Sequence, residues 1–509
     1  MRLGIDLGTT RVVVAAVDRG NYPIVSFETP DGTASEWYPS VIAERDGKLS
    51  TGFDAALALQ RPEWRVRRSL KRALAAAGPR DLVLGHPVIE LSTLFLADLA
   101  GAIRRTSNLD LEPDEPLEVA IAVPANATAN QRMLTADAFH EAGFRVIRVL
   151  DEPSAAGLEY AWRRPRDARV RRRHIAVYDL GGGTFDASVI AITDDIHEVL
   201  TTEGVQRLGG DDFDRALLDL VSAHSGVRVP DDGPELDLLL EACREAKERI
   251  TPNTRRVRVE LPPDGDPVDV PMDDVDAAFA PLIDRSIAAL DGALERLRAS
   301  VGDDVERSTV IYQVGGGSGL PAVGRTLRER WGRRVWRCPY PHAAVAIGLA
   351  IAAEEDRSPR ITARLTRHFG VWREAEHGTE LVFDPIFAKD VPLPASRCSP
   401  LVAIRRYRAA HDIAHFRFAE SSRLTPDGGT AGDVWPWREV RFPLTFALCD
   451  APIEDRTVTR LSHPGPEIEE RYECDADGVI RVRIRNLDEG YARTYDLHGE
   501  AGDCERSAG

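Results

Sequence analysis

The sequence predicts an α/β domain made of two similar lobes, followed by an all-β domain. Three observations carry that expectation. A strand, an Asp-Leu-Gly turn and a second strand occupy residues 2–17, and the same pattern returns at 174–192. The spacing between the two copies is far longer than a solenoid repeat and suits a duplicated lobe. Glycine-bounded strands alternate with stretches of helical periodicity up to about residue 355. Beyond a polar stretch at 356–367, apolar residues recur at every second position instead.

The elements follow in chain order. Residues 2–17 (RLGIDLGTTRVVVAAV) read as an apolar strand, a polar turn with Asp6, Gly8, Thr9 and Thr10, and a β-branched strand. EVAIAVP, at 118–124, is a buried-strand run ahead of a helix in which Met133, Leu134, Ala138 and Phe139 share a face. A short strand at 145–150 closes on Asp151-Glu152-Pro153, where the proline suits a first helical turn. After the second hairpin, LGGDDFD opens a helix behind Gly209 and Gly210, and 230–281 carries helices interrupted by acidic, proline-rich loops. A strand at 310–314 then meets a third glycine turn, Gly315-Gly316-Gly317-Ser318-Gly319, with a helix at 321–331 behind it. In the β region, a strand from Glu469 turns through Asp475-Ala476-Asp477-Gly478 into Ile480, Val482 and Ile484, which alternate with Arg481, Arg483 and Arg485. The expected layout is a two-lobed domain over 1–355, a linker over 356–368, a β domain over 369–500 and a frayed tail over 501–509.

Composition narrows the function classes. The length of 509 residues exceeds one core, with roughly three units as a soft prior. A hydrophobic fraction of 43% with 29% charged residues is that of an ordinary globular chain. Lys plus Arg of 65 against Asp plus Glu of 82 gives −17, which argues against sequence-blind binding of nucleic acid or anionic membrane. Six cysteines without a Cys-x-x-Cys pair support neither a disulfide framework nor a zinc knuckle. No leader is legible, and the longest apolar run, 343–353, falls short of a membrane span. A cytoplasmic chain is the expectation. The basic residues are nearly all arginine, so each of Lys48, Lys71, Lys247 and Lys389 is informative. An arginine-rich run at 163–173 reads as a solvated loop.

The chemistry concentrates in the three glycine turns. Gly8, Gly181–Gly183 and Gly315–Gly317 each follow a strand and can offer backbone N–H groups to phosphate oxygens. None has the Walker spacing. Asp6 and Asp179 hold equivalent places in the two hairpins, so lobes folded face to face would bring both carboxylates to one cleft. That arrangement suits Mg²⁺, which takes one or two carboxylates with waters and phosphate oxygens. Otherwise each aspartate stabilises its own turn. Thr9, Thr10 and Thr184 would add hydroxyls, and Asp186 would be a second ligand to ion or water.

GIDLGTT, IAVPANATANQR, VLDEPSAAGLEYA, VYDLGGGTFD, LGGDDFD and VGGGSGLP together resemble the nucleotide-binding domain of the 70-kDa heat-shock (DnaK-like) chaperones over about residues 1–355. FDPIFAKDVPLPA and YECDADGVIRVRIRN are similar to parts of that family's peptide-binding β-sandwich. The resemblance implies an actin-like pair of lobes closing on ATP or ADP with Mg²⁺, K⁺ being a further candidate ion. It implies that Lys71 is the catalytic lysine, that Glu152 positions the metal's waters, and that Asp179 and Thr184 take part in catalysis. Pro124 and Arg132 would couple nucleotide state to the β domain. Lys247 and Thr251 stand at the base and ribose contacts, while Arg244 replaces an acidic residue and Gly319 replaces a base-stacking arginine. The linker lacks the family's leucine run, with Ile361 and Leu365 isolated, and no helical lid follows the sandwich. The expected partners are ATP, unfolded or extended peptides, and a J-domain co-chaperone with a nucleotide exchange factor, with neither nucleic acid nor membrane. The expected function is a slow ATPase coupled to peptide binding and release by a lidless sandwich. Two alternatives stay open: an actin-like filament or partitioning ATPase, and a nucleotide-sensing interaction module with an uncoupled β domain.

Overall fold

In the computed structural model both hairpins form, and each seeds a sheet of the same pattern. The described residues are all except 60, 62, 72, 74–80, 126, 164–173, 193–195, 263–264, 303–308, 355–359, 363, 366, 390, 395–398, 449–452, 454–455, 477, 497–504 and 507–509. Apart from Arg163, the arginine-rich run therefore lies outside them. The chain divides into two units, one of Met1–Ala125 with Leu134–Ile361, the other of Asn126–Met133 with Thr362–Gly509.

In the first lobe Arg2–Leu7 pairs antiparallel with Arg11–Ala16 and parallel with Glu118–Val123, which pairs parallel with Arg145–Asp151. In the second lobe His174–Leu180 pairs antiparallel with Thr184–Ile192 and parallel with Thr309–Val314, which pairs parallel with Val335–Arg337. The duplication extends to register. Asp6 faces Val13 across its hairpin and Asp179 faces Asp186, so the second lobe carries an acid where the first carries valine.

The 343–353 run, too short for a membrane, is the helix Ala344–Ala353, with every residue buried. A helix apolar all round belongs in an interior. Its core includes Val13, Ala120 and Leu150 of the first lobe and Ile175, Ile190 and Val314 of the second, so it cements the two. Gly348 permits this: a Cβ there would stand 1.8 Å from the Ala155 carbonyl oxygen of the helix Glu152–Arg163. Among the described residues no helix is long and apolar enough to cross a membrane.

Several expectations are corrected. The helices expected over 230–281 are Pro234–Glu248 and the start of Met272–Val301, which runs on through Pro281. Pro281 and Ala277, whose carbonyl loses its intrahelical donor, are both exposed, so water satisfies that group. The strand Ile196–Gln206 and the helix Val88–Arg105 had no sequence forecast. Within the expected linker, Arg360–Thr362 adds a strand at an edge of the second lobe's sheet. Within the expected tail, Glu505–Arg506 pairs with Tyr491 and Ala492, since strand Tyr491–Asp496 offers an open edge there.

The second unit holds two antiparallel sheets. One runs Glu380–Phe387, His368–Ala375, Ile413–Leu424, Thr430–Pro443, and the other Leu401–Arg408, Glu467–Cys474, Ile480–Asn486, Tyr491–Asp496, Glu505–Arg506. Their inner faces share a core that includes Phe369, Phe418, Phe442, Ile468, Tyr472 and Val482, making a β-sandwich. The expected hairpin forms, with Ile480, Val482 and Ile484 buried and Arg481 and Arg483 exposed. One charge is buried between the sheets. Glu470, with no exposure, accepts from Arg373 at 3.0 and 2.7 Å and from the Tyr472 hydroxyl at 2.5 Å.

Candidate functional site

A cavity of about 470 Å³ opens between the lobes of the first unit, and its floor is made by the duplicated hairpins. Asp6 and Asp179 sit near the ends of equivalent strands, and both line this cavity together with Asp186 and Glu152. Glu152 is buried at the first position of the helix Glu152–Arg163, where the helix dipole favours an anion. Lys71 comes from the first lobe and pairs with Glu152.

Four carboxylates around one lysine set the electrostatics. Burial, with help from Glu152 and against Lys71, pushes Asp6 up to about 7. Burial and Glu152 push Asp186 up to about 7 as well, against Lys71 and a hydrogen bond from Thr184. Asp179 is held well above the usual carboxylate range by burial and then by repulsion from Glu152, Asp186 and Asp6. For Lys71, burial disfavours the charge, but Glu152, Asp6 and Asp179 outweigh it and hold the ammonium above its ordinary value. Such a cluster calls for added positive charge. Among the described residues no three carboxylates, imidazoles or thiols converge tightly enough to form a closed metal cage. The arrangement fits a cation that takes one or two protein carboxylates and completes its shell with water and phosphate, as Mg²⁺ does.

The glycine turns ring this acidic floor. Gly8, Thr9, Thr10, Gly181, Gly182, Gly315, Gly316 and Gly317 all line the cavity. Gly183 is buried beside it, its amide nitrogen 2.5 Å from where a Cβ on Gly209 would stand. The turns of the two hairpins meet: a Cβ on Gly182 would lie 2.8 Å from the side chain of Thr10. Gly315 has φ +85°, and a side chain there would strike the Asp179 carboxylate at 2.3 Å. Only glycine combines that backbone with that approach.

At the far end of the cavity, Lys247 donates to the Gly210 carbonyl at 2.6 Å and pairs with Asp214 at 2.6 Å. Arg244 stands among Glu241 at 3.2 Å, Asp214 at 3.6 Å and Asp211 at 3.7 Å, so the arginine found in an acidic position is itself surrounded by acids. Two ion pairs tie the lobes together beside the cavity, Arg11 with Glu248 and Arg68 with Glu241, the latter at 2.6 Å.

Not every expected residue joins. Thr251 is exposed and lines a separate hollow, its hydroxyl 3.1 Å from that of Thr254 in the turn after the helix Pro234–Glu248. The turn holds it away from the cavity. Pro124 follows the strand Glu118–Val123, and Arg132 is buried in the helix Ala129–Glu141; neither lines the cavity. Asp214, Arg11, Arg68 and Arg337 had no role assigned from sequence. Asp214 was within reach, as the last acid of LGGDDFD, whereas nothing in the local sequence marks Arg337.

Comparison with known proteins agrees with this geometry. The family model described as Hsp70 protein matches residues 97–357. A chaperone protein HscA homolog of Variovorax paradoxus (strain S110) is 32% identical over 372 residues, covering 69% of this chain and 58% of its own. The chaperone protein DnaK of Halobacterium salinarum (strain ATCC 29341 / DSM 671 / R1) is 28% identical over 98% of this chain and 75% of its own. A second HscA homolog, from Acidovorax ebreus (strain TPSY), is 32% identical over 97% of this chain and 78% of its own. Proteins of this family are chaperones that hydrolyse ATP on an actin-like domain followed by a β-sandwich. The chain belongs to the Hsp70 protein family, and its two-lobed unit is that family's actin-like ATPase domain.

Proposed function

We propose that this chain is an ATP-dependent chaperone in which the nucleotide state of the lobed unit sets the affinity of the β unit for extended peptide. The observation that carries the proposal is the convergence of Asp6, Glu152 and Asp179 on Lys71, under three glycine turns. Asp6 and Asp179, with Asp186 behind them, are the residues that would hold Mg²⁺. When bound, the ion supplies charge neutralisation across the terminal phosphates. The chain's own residues do the rest. Backbone N–H groups of Thr9, Thr10, Gly182, Gly316 and Gly317 bind the phosphates, while those of Gly8, Gly181 and Gly315 donate to the carbonyls of Asp6, Thr184 and Pro341 and so shape the turns. Lys71, kept cationic by its carboxylate neighbours, faces the γ-phosphate, where negative charge grows in the transition state. Glu152 orients Lys71 and the attacking water. Thr184 helps to set that water, and its bond to Asp186 keeps its hydroxyl in place.

In this reading Pro124 and Arg132 pass the nucleotide state onward, and Lys247 contacts the base. Peptide held by the sandwich alone, without helical cover, would be released quickly. A J-domain partner and an exchange factor are the regulators it calls for.

The test is ATP turnover with and without an unfolded polypeptide, together with the peptide's affinity in ATP and in ADP. Stimulated turnover and weaker peptide binding in ATP are expected. Equal affinity in both nucleotides would favour a nucleotide-sensing module with an uncoupled β unit. ATP-driven polymers seen by light scattering would favour a filament-forming protein.

A further inference from the structure

Like charges directly opposite one another destabilise a sheet, yet the β unit places two arginines in that relation. Arg471 and Arg483 are register partners across the strands Glu467–Cys474 and Ile480–Asn486. Both stand on the outer face, since their chain neighbours Tyr472, Val482 and Ile484 fill the core. On its other side Arg483 faces Thr494, so no acid lies opposite it in either neighbouring strand.

The acids on this face are already engaged. Glu473 accepts from Arg471 at 2.8 Å, and Glu469 pairs with Arg406 of the edge strand Leu401–Arg408 at 2.5 Å. Arg481 has Asp475 at 3.6 Å. Arg485 lies opposite Glu469 and Ala492, makes neither a hydrogen bond nor an ion pair among the described residues, and has its Nε enclosed without a partner. Arg483 and Arg485 therefore form a cationic step on a chain whose net charge is −17.

Spacing indicates what fits the step. Residues two apart on a strand lie about 6.8 Å from each other, and an extended partner repeats its side chains at the same interval. Carboxylates at every second position of such a partner would meet Arg483 and Arg485 in turn, in the forked geometry that guanidinium groups prefer. The margin of the face is apolar. Val402 and Ile404 of the edge strand are each 44% exposed, and Ile404 lies opposite Arg471. They offer contact to a polypeptide but little to a sugar-phosphate backbone, whose unbroken charge would also meet Glu469 and Glu473.

We propose that this outer face binds an acidic, extended polypeptide segment with carboxylates at alternate positions, held by Arg483 and Arg485. The surface lies within the β unit and needs no nucleotide, so its test is independent of the ATPase reading. Fluorescence anisotropy of short labelled peptides is measured with the full chain, in chelator and without nucleotide. One peptide alternates Glu with Ser, and its isomer has the same composition with the glutamates in adjacent pairs. The alternating peptide should bind at least about threefold more tightly than the isomer, and Arg483→Ser with Arg485→Ser should weaken it about tenfold, as two exposed ion pairs of roughly 0.7 kcal/mol each would. Rising salt should weaken it further. Both side chains stand on the outer face, so the urea midpoint of the double variant should stay in place. Should it fall, Arg485→Gln, which keeps most of the side chain, replaces the double variant, with a loss of about threefold expected. No binding of the alternating peptide, equal binding of the isomer, or undiminished affinity in the variants would each overturn the assignment. So would a DNA duplex that binds more tightly and displaces the peptide, which would make the face a general polyanion site. Dimers in sedimentation that the double substitution dissolves would overturn it as well, by making a second copy the occupant.

Discussion

Lys71→Met removes the one cation, among the described residues, that acts on Asp6, Asp179 and Asp186 together. Two consequences follow, and they separate in experiment. The first concerns rate. If Lys71 stabilises charge that grows on the γ-phosphate, its loss should lower kcat by about 10²–10³, the effect of deleting one preorganised donor. The second concerns the nucleotide-free fold. The Lys71 and Glu152 side chains are 16% and 11% exposed, so the variant strands a nearly buried carboxylate beside three others. Breaking a buried pair in this way costs up to about 3–5 kcal/mol, less whatever the carboxylates recover by taking up protons. Nucleotide affinity should change far less, because the glycine turns and the ion carry the phosphates. Single-turnover hydrolysis of labelled ATP, calorimetric ATP binding and urea denaturation measure the three quantities. Turnover within about threefold of the unaltered chain, in a folded variant that binds ATP, would refute the role of Lys71.

Two further outcomes are expected. Asp6 and Asp186 are raised from 3.8 to about 7 in the folded chain, so the native state holds protons that the unfolded state releases. Stability without nucleotide should therefore fall as pH rises from about 4 to about 7 and level off above, by at most about 1.4 kcal/mol per pH unit for each group. Asp186→Asn should flatten that slope in denaturation curves taken between pH 5 and 8 with ~1 mM chelator; an unchanged slope would contradict the assignment. In the β unit, Arg373→Met leaves Glu470 buried without its bidentate partner and should cost about 3–5 kcal/mol in chemical denaturation. A loss below about 1 kcal/mol would mean that the Arg373–Glu470 pair does not hold this part of the fold together.

Where the sequence was most legible, a local rule and the tertiary structure agreed. The two Asp-Leu-Gly hairpins, the strand at 118–123 and the helix behind Pro321 carry their periodicity and turn residues in a few adjacent positions. The hairpin about Gly478 did the same for the β unit. A local rule for proline would not place Pro281 inside a helix, because it ignores that the carbonyl left without a donor faces water. The strand Ile196–Gln206 escaped because its described residues are half-buried or exposed and show no alternation of buried and exposed positions. In the site, residues tied to motifs were legible, and Asp6, Lys71, Glu152, Asp179 and Asp186 meet in one cavity. Thr251 was carried over by position, but the turn that holds it bends it away. Arg337 could not have been found, since it reaches the cavity lining through the pairing of its strand with that of Gln313.

Everything turns on two carboxylates from duplicated hairpins sharing one cation under a triphosphate. The direct measurement is ATP affinity with Mg²⁺ and with chelator, for the unaltered chain, Asp6→Asn and Asp179→Asn. The unaltered chain should bind ATP at least about tenfold more tightly with Mg²⁺, and either substitution should erase most of that difference. If both variants kept the full magnesium dependence, the two aspartates would not be the residues that hold the ion.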